Sequence, residues 1–388
     1  MRTLKFGVIG CGLMGREFAS ALMRWGHLTE PGLHGIRPEI VSVCSRSSAS
    51  MDWFTRNVPT VRLATPDYRE LLAATGENVV DAVYIAVPHH LHAPMYLAAL
   101  AAGKHLMGEK PFGIDYAANE SINAAIAAHP NLLVRCSSEF PYFPAMQKIG
   151  ALIERQAFGR LLEVEAGFLH SSDLDTNKAI NWKRQVPFCG EYGCMGDLGM
   201  HVCHIPFRAD WRPRNVRAVL SKIVGQRPDG HGGMAACDTW DNATLLCEAQ
   251  DAATQDRFPM TLKMQRIAPG ERNTWYLTIK GTKACARFST AQPKTLEILN
   301  YAGGEQVWGR VQVGYEPAFK TITGGIFEFG FTDAMLQMWA AFIGELAGQT
   351  PPARFAGCVT PAEAALSHRL LTAALESQRT SATVALMA

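Results

Sequence analysis

The ten cysteines contain no Cys-x-x-Cys pair, which excludes a zinc ribbon and a thioredoxin-type motif and predicts a reduced, cytoplasmic setting. No run of about 18 apolar residues occurs, so no membrane-spanning helix and no membrane partner are expected. The opening MRTLKFGVIGCG enters a strand pattern at once, without a basic stretch followed by an apolar one, and no secretory signal is predicted. Charge of one sign is also lacking: 37 Lys and Arg against 35 Asp and Glu leave a net charge of +2. With no basic stripe interleaved with aromatics, nucleic acid is excluded as a partner. No repeat of fixed period is present. What remains is 48% hydrophobic and 19% charged residues, an ordinary globular balance. At 388 residues the chain exceeds the roughly 250 to 300 at which one core stops growing, so two domains are expected.

Residues 4 to 136 alternate short apolar runs (LKFGVIG, EIVSVCS, AVYIAV, HLMGEKP, LLVRC) with helical patterns. Near-continuous apolar strands separated by helices mark a doubly wound parallel sheet covered on both faces. From about residue 139 the rhythm changes. LLEVEAGFLH, VRAVLSKIVG, ATLLCEA, PMTLKMQRI, WYLTIKG and ACARFST are strand-like segments with turn signals between them, which predicts an open, mainly antiparallel mixed sheet. Helical patterns at about 331 to 346 and 361 to 378 close the chain. The expected class is α/β, with domains 1–138 and 139–388, the second of α+β type.

VIGCGLMG sets Gly10, Gly12 and Gly15 in G-x-G-x-x-G register, after a strand and before a helix. The first glycine makes the tight turn, the second admits a pyrophosphate to the backbone, and the third lets helix and strand pack closely. The anion then faces the helix's unpaired N–H groups, at Leu13 and Met14. At the end of the second strand, where an acidic residue would bind the ribose 2'-hydroxyl of NAD, stand Ser45 and Arg46. A hydroxyl and a guanidinium can hold a 2'-phosphate, so NAD and NADP both stay open.

AGKHLMGEKPFG puts Glu109, Lys110 and Pro111 at the carboxyl end of a parallel strand, the edge where ligands bind in such sheets. Farther on, CMGDLGMHVCH packs Asp197, His201 and His204 into one stretch. As a helix it sets Asp197 and His201 four apart on one face. A metal site is not expected. Asp197 and His204, seven apart, are separated by roughly 10 Å of helical rise and cannot share one ion. A site using two of these residues with Cys189 or Cys194 is the weaker alternative.

GVIGCGLMG, AVYIAVPHHLHAPMYLAALAAGKHLMGEKPFG and MGDLGMH together resemble the glucose-fructose oxidoreductase / inositol dehydrogenase / MocA (Gfo/Idh/MocA) family. The resemblance covers the first domain and about half of the second. It implies an N-terminal Rossmann domain and NAD(P)-dependent hydride transfer at a ring hydroxyl of a sugar, sugar derivative or cyclitol. Lys110 matches the family lysine of E-K-P, and Asp197 and His201 match its D-x-x-x-H pair. Pro88 and His92 match the loop bordering the nicotinamide, and Glu109 belongs to the same cofactor-side motif. His201 would accept the hydroxyl proton, Asp197 orient it, and Lys110 steady the alkoxide. The resemblance also implies a homodimer or homotetramer.

Three spellings depart from the family: His89 for Asn, SSEFPYFPA for the usual Asn-Tyr-Arg-Phe stretch, and His204 for Asp. Glu139, His170, Trp182, Lys183, Arg184 and Tyr192 are the candidate substrate residues. Trp182 can stack on a sugar face, and the cations near it, Lys178 included, can hold a sulfonate or carboxylate. A second function stays open, an NAD-dependent glycoside hydrolase working by transient oxidation, elimination, water addition and re-reduction. Glu139, Tyr192 or His204 would then supply the extra acid/base.

Overall fold

The computed structural model describes residues 2–313 and 316–386. It opens with strands and helices in alternation: β1 (Arg2–Ile9), α1 (Leu13–Met23), β2 (Ile36–Cys44), α2 (Ser48–Asn57), β3 (Leu63–Thr65), α3 (Tyr68–Leu72), β4 (Ala82–Ile85), α4 (His92–Ala101), β5 (His105–Gly108), α5 (Tyr116–Ala128) and β6 (Val134–Cys136). The six strands form one sheet in the order β3-β2-β1-β4-β5-β6, parallel throughout. The order reverses between β1 and β4, so the loops after these two strands flank the crevice where such sheets hold nucleotides. The strands are apolar because both faces are covered; Ala82–Ile85 is buried at every position.

Next come α6 (Pro144–Glu154), β7 (Leu161–Leu169), α7 (Val186–Cys189), α8 (Cys194–Arg208), β8 (Trp211–Pro213), β9 (Asn215–Ser221) and the ribbon of β10 (Gln226–Pro228) and β11 (Met234–Ala236). They are followed by β12 (Asn242–Asp251), β13 (Arg257–Gln265), β14 (Thr274–Gly281), β15 (Ala284–Ser289), β16 (Thr295–Asn300) and β17 (Gly309–Gln312). After these come α9 (Phe331–Leu346), α10 (Pro361–Thr380) and β18 (Val384–Ala385). The large sheet runs β17-β16-β15-β14-β7-β13-β12-β9-β18, with β8 also on β12. Among the described residues of this sheet only β7 and β13 pair in parallel; the other pairs are antiparallel, so the sheet is mixed and mainly antiparallel. Alternation drives it: on β12, Ala243, Leu245, Cys247 and Ala249 point inward while Leu246 stays exposed.

The chain forms two compact units, Met1–Tyr142 with Glu316–Pro361, and Phe143–Tyr315 with Ala362–Ala388. This differs from the single boundary expected after residue 138. The first unit recovers α9, and the reason is aromatic packing. Trp339 lies 3.8 Å, ring centre to ring centre, from Phe18 of α1 and 4.9 Å from Tyr84 of β4. Nearly all of α9 is buried there. All ten cysteines are free. Among the described residues no helix is long and apolar enough to cross a membrane.

Candidate active site

In the first unit the three glycines are explained by what a side chain would strike. At Gly10, φ is +107° and a Cβ would fall 2.1 Å from the carbonyl oxygen of Ala86. At Gly15 it would fall 2.3 Å from that of Gly10. Both positions are closed by the protein's own backbone. At Gly12 a Cβ would meet nothing within 4 Å, so the space in front of the turn is open. No side chain caps α1, and its first turn carries no acid. Leu13 and Met14 therefore begin the helix with their amides uncapped by any side chain, a fit for a dinucleotide's pyrophosphate. Ser45 and Arg46 follow β2 directly. The Ser45 hydroxyl accepts the Ser47 N–H at 3.2 Å, and Ser47 caps α2 through the Ser50 N–H. Arg46 is exposed.

A second cluster sits on the loops after β4 and β5. The His92 ring has its Nε2 3.0 Å from the Val87 carbonyl oxygen and stacks on Tyr96 at 5.1 Å. Buried His89 lies 5.4 Å from His92, between ring centres, just after Pro88. The Tyr96 hydroxyl donates to the Glu109 carbonyl at 2.8 Å, and the Tyr84 hydroxyl donates to the Glu109 carboxylate at 2.6 Å. Glu109 is thereby tied into the turn that presents Lys110, which is half-buried. Gly108 pairs with Cys136 across β5 and β6, so Lys110 and Glu139 leave neighbouring strands side by side. Glu139 is buried. Its pKa is pushed up to about 7 by burial and by the Glu109 carboxylate, against its own backbone hydrogen bond and Lys110. Glu139 thus belongs to the first unit and to Lys110's surroundings.

In the second unit, CMGDLGMHVCH is helical as expected, the first part of α8. Gly193 precedes it at φ +56°, where a Cβ would fall 2.6 Å from the Trp240 amide. Asp197 lies in the first turn with His201 one turn on. The Lys183 ammonium donates to both Asp197 carboxylate oxygens, at 2.9 and 3.1 Å. Arg266 Nε stands 3.4 Å from the second oxygen. The Trp275 indole donates to the His201 carbonyl at 2.9 Å, and the Phe168 ring meets the imidazole edge-on at 5.5 Å. His170 flanks the same Phe168 at 4.5 Å, so His170 and His201 share one aromatic neighbour. Trp182 lies beside Lys183, whose ammonium is 5.7 Å from the ring centre.

Two other candidates are engaged within the unit. Tyr192 is buried, its hydroxyl 2.7 Å from the Thr372 hydroxyl on α10. Arg184 is buried against Asp173. With Lys183 on Asp197 and Arg184 on Asp173, two of the cations expected to hold an acidic substituent already face carboxylates, while Lys178 donates to the Ser172 carbonyl at 3.2 Å.

A family model described as the Gfo/Idh/MocA oxidoreductase family, NAD-binding Rossmann fold, matches residues 4–135. The trans-1,2-dihydrobenzene-1,2-diol dehydrogenase of Mus musculus is 30% identical over 258 residues, covering 62% of this chain and 69% of that one. The chain belongs to the Gfo/Idh/MocA family. Another member, the levoglucosan dehydrogenase of Pseudarthrobacter phenanthrenivorans, is 28% identical over 247 residues, 62% of this chain. That match spans 59% of the relative, somewhat more than half its length. A solved levoglucosan dehydrogenase in complex with NADH and L-sorbose superposes with a TM-score of 0.85 over 100% of both chains, at 22% identity. At that identity the likeness concerns the fold.

Within this Gfo/Idh/MocA chain, sequence reasoning missed Arg266, Tyr84 and Tyr96. Arg266 sits in no motif; its only signal is a cation directly after β13, in PMTLKMQRI, a segment that also carries Lys263. His204 is placed differently from the acid/base role considered for it. It is 1% exposed, and its pKa is pushed down to about 3 by burial, with the Arg208 guanidinium adding to the effect. It stays a neutral core imidazole. Because the folded pKa is depressed, the stability it contributes is complete above the unfolded value of 6.5 and is lost as pH falls towards 3. By pH 5 the loss amounts to about 2 kcal/mol. Denaturant unfolding of His204→Phe should therefore show a flatter dependence of stability on pH between 7 and 5 than the parent. Parallel curves would refute this placement.

Proposed function

We propose that this chain catalyses NAD(P)-dependent hydride transfer at a ring hydroxyl of a sugar, sugar derivative or cyclitol. The observation that carries the reading is the Asp197 carboxylate, fixed by Lys183 and facing Arg266, one helical turn from His201. A carboxylate held in this way accepts a hydrogen bond well and takes up a proton poorly. Proton uptake from the substrate hydroxyl then belongs to His201, whose type of side chain titrates near neutrality. Asp197 orients that hydroxyl. Lys110 supplies the positive charge that steadies the alkoxide as its proton leaves. The bound nicotinamide supplies the hydride acceptor. The Gly10–Gly15 turn and the start of α1 would hold the pyrophosphate, and Ser45 and Arg46 would serve the adenosine ribose or its 2'-phosphate. A sugar or polyol substrate is supported by the levoglucosan dehydrogenase relative.

The test is a panel of anhydrosugars, aldoses, cyclitols and aryl glycosides, each incubated with NAD+ and with NADP+, read by nicotinamide absorbance and by aglycone release. Steady production of reduced nicotinamide from at least one polyol is the expected result. Aglycone release with no net change in nicotinamide would replace the reading with the redox-neutral hydrolase. Nucleotide binding with neither signal would overturn both.

A further inference from the structure

We propose that Lys183 is a positioning residue for Asp197, a role that rests on the function assigned above and adds a residue outside its E-K-P and D-x-x-x-H motifs. Lys183 lies on the single turn Trp182–Arg184, and the Asn181 side chain caps that turn by accepting the Lys183 N–H at 2.9 Å. The turn is fixed from below by Arg266, which is 1% exposed. Arg266 donates to the Lys183 carbonyl at 3.0 Å and to the Gly193 carbonyl at 3.2 Å. Gly193 is the residue from which α8 starts. One guanidinium thus joins the Lys183 turn to the start of the helix bearing Asp197, and its Nε faces the same carboxylate.

The two cations do different work. Arg266 Nε approaches Oδ2 at 3.4 Å without hydrogen-bonding geometry, so it acts on Asp197 by charge. Lys183 reaches both oxygens at hydrogen-bond distance, so it fixes the rotation of the carboxylate as well as its charge. Its side chain is 37% exposed while that of Asp197 is 7% exposed. Lys183 therefore closes the carboxylate from the solvent side, and removing it leaves the backbone clamp made by Arg266 intact.

Lys183 thereby holds the carboxylate in one orientation with respect to α8, and the substrate hydroxyl is read against that orientation. A lysine bound directly to substrate would make a different prediction: its loss would raise KM and leave Asp197 unchanged.

The experiment compares wild type, Lys183→Met and Lys183→Arg. With the polyol found to be turned over, Lys183→Met should lower kcat on the order of 10- to 100-fold, as expected for misorientation of a reacting group. KM should change far less, and the dissociation constant for the nucleotide should not move. Lys183→Arg should restore most of the rate. Independently of turnover, a 13C NMR titration of the Asp197 carboxyl, assigned by its loss in Asp197→Asn, should show a midpoint about one unit higher in Lys183→Met. An unmoved midpoint, a kcat within twofold of wild type, or a rise in KM alone overturns the positioning role. Wild-type inactivity on every polyol overturns the assigned function instead, and the NMR titration still decides about Lys183.

Discussion

Lys110→Met is expected to lower kcat on the order of 100- to 1,000-fold, the usual cost of deleting a charge aimed at a developing oxyanion. Methionine preserves most of the stem volume and removes only the ammonium, so the change isolates charge from packing. The turn that carries the residue does not depend on that ammonium. Glu109 is anchored at its carboxylate by Tyr84 and at its carbonyl by Tyr96, and Phe112 beyond it is fully buried. The Gly10–Gly15 turn is a separate loop. The dissociation constant for NAD(P)H, read by nucleotide fluorescence, should therefore stay within a fewfold of wild type while turnover collapses. Loss of nucleotide binding in parallel with kcat would instead make Lys110 a nucleotide ligand. A rate within tenfold of wild type would remove it from the chemistry.

His201→Ala should cost on the order of 100- to 10,000-fold in kcat, the range for removal of a general base. The Trp275 indole donates to the main-chain carbonyl of residue 201, a contact that the change leaves in place. Two signatures separate a lost base from a damaged helix. Added imidazole should restore part of the rate, and the alkaline rise of the kcat/KM profile should disappear. On the proposed chemistry the Lys110→Met, His201→Ala double variant should be only slightly slower than the worse single variant, since groups acting as a unit lose their effect together. Multiplied losses, or a retained alkaline rise, would assign the proton to another group.

The parts of the site tied to local pattern were legible in the sequence. Gly10 and Gly15 carry fixed steric demands, and DLGMH sets Asp197 and His201 one turn apart by helical period alone. What lay beyond reach depended on partners distant in the chain. Lys183 reads equally well as a solvated cation or a substrate ligand until Asp197 is seen between it and Arg266, 83 residues apart in the chain. Tyr192 poses the same choice: its phenol stands beside α8, with its hydroxyl 2.7 Å from the Thr372 hydroxyl on α10. The strand rhythm changes at Glu139 and by itself places that residue in the second domain, yet Glu139 leaves β6 beside the strand that delivers Lys110. For α9 the stripe FTDAMLQMWAAFI announces burial without saying in which core, and composition cannot tell one apolar surface from another.

That last ambiguity bears on how the protein is made. Phe6, Phe18 and Tyr84 emerge early in synthesis, whereas Trp339, which lies against them, comes more than 250 residues later. The nucleotide-binding half therefore cannot finish its interior while still tethered to a ribosome partway through the message. Until α9 is made, the faces of Phe6, Phe18 and Tyr84 that Trp339 covers lack that partner, the kind of exposed apolar surface that makes folding intermediates prone to aggregate.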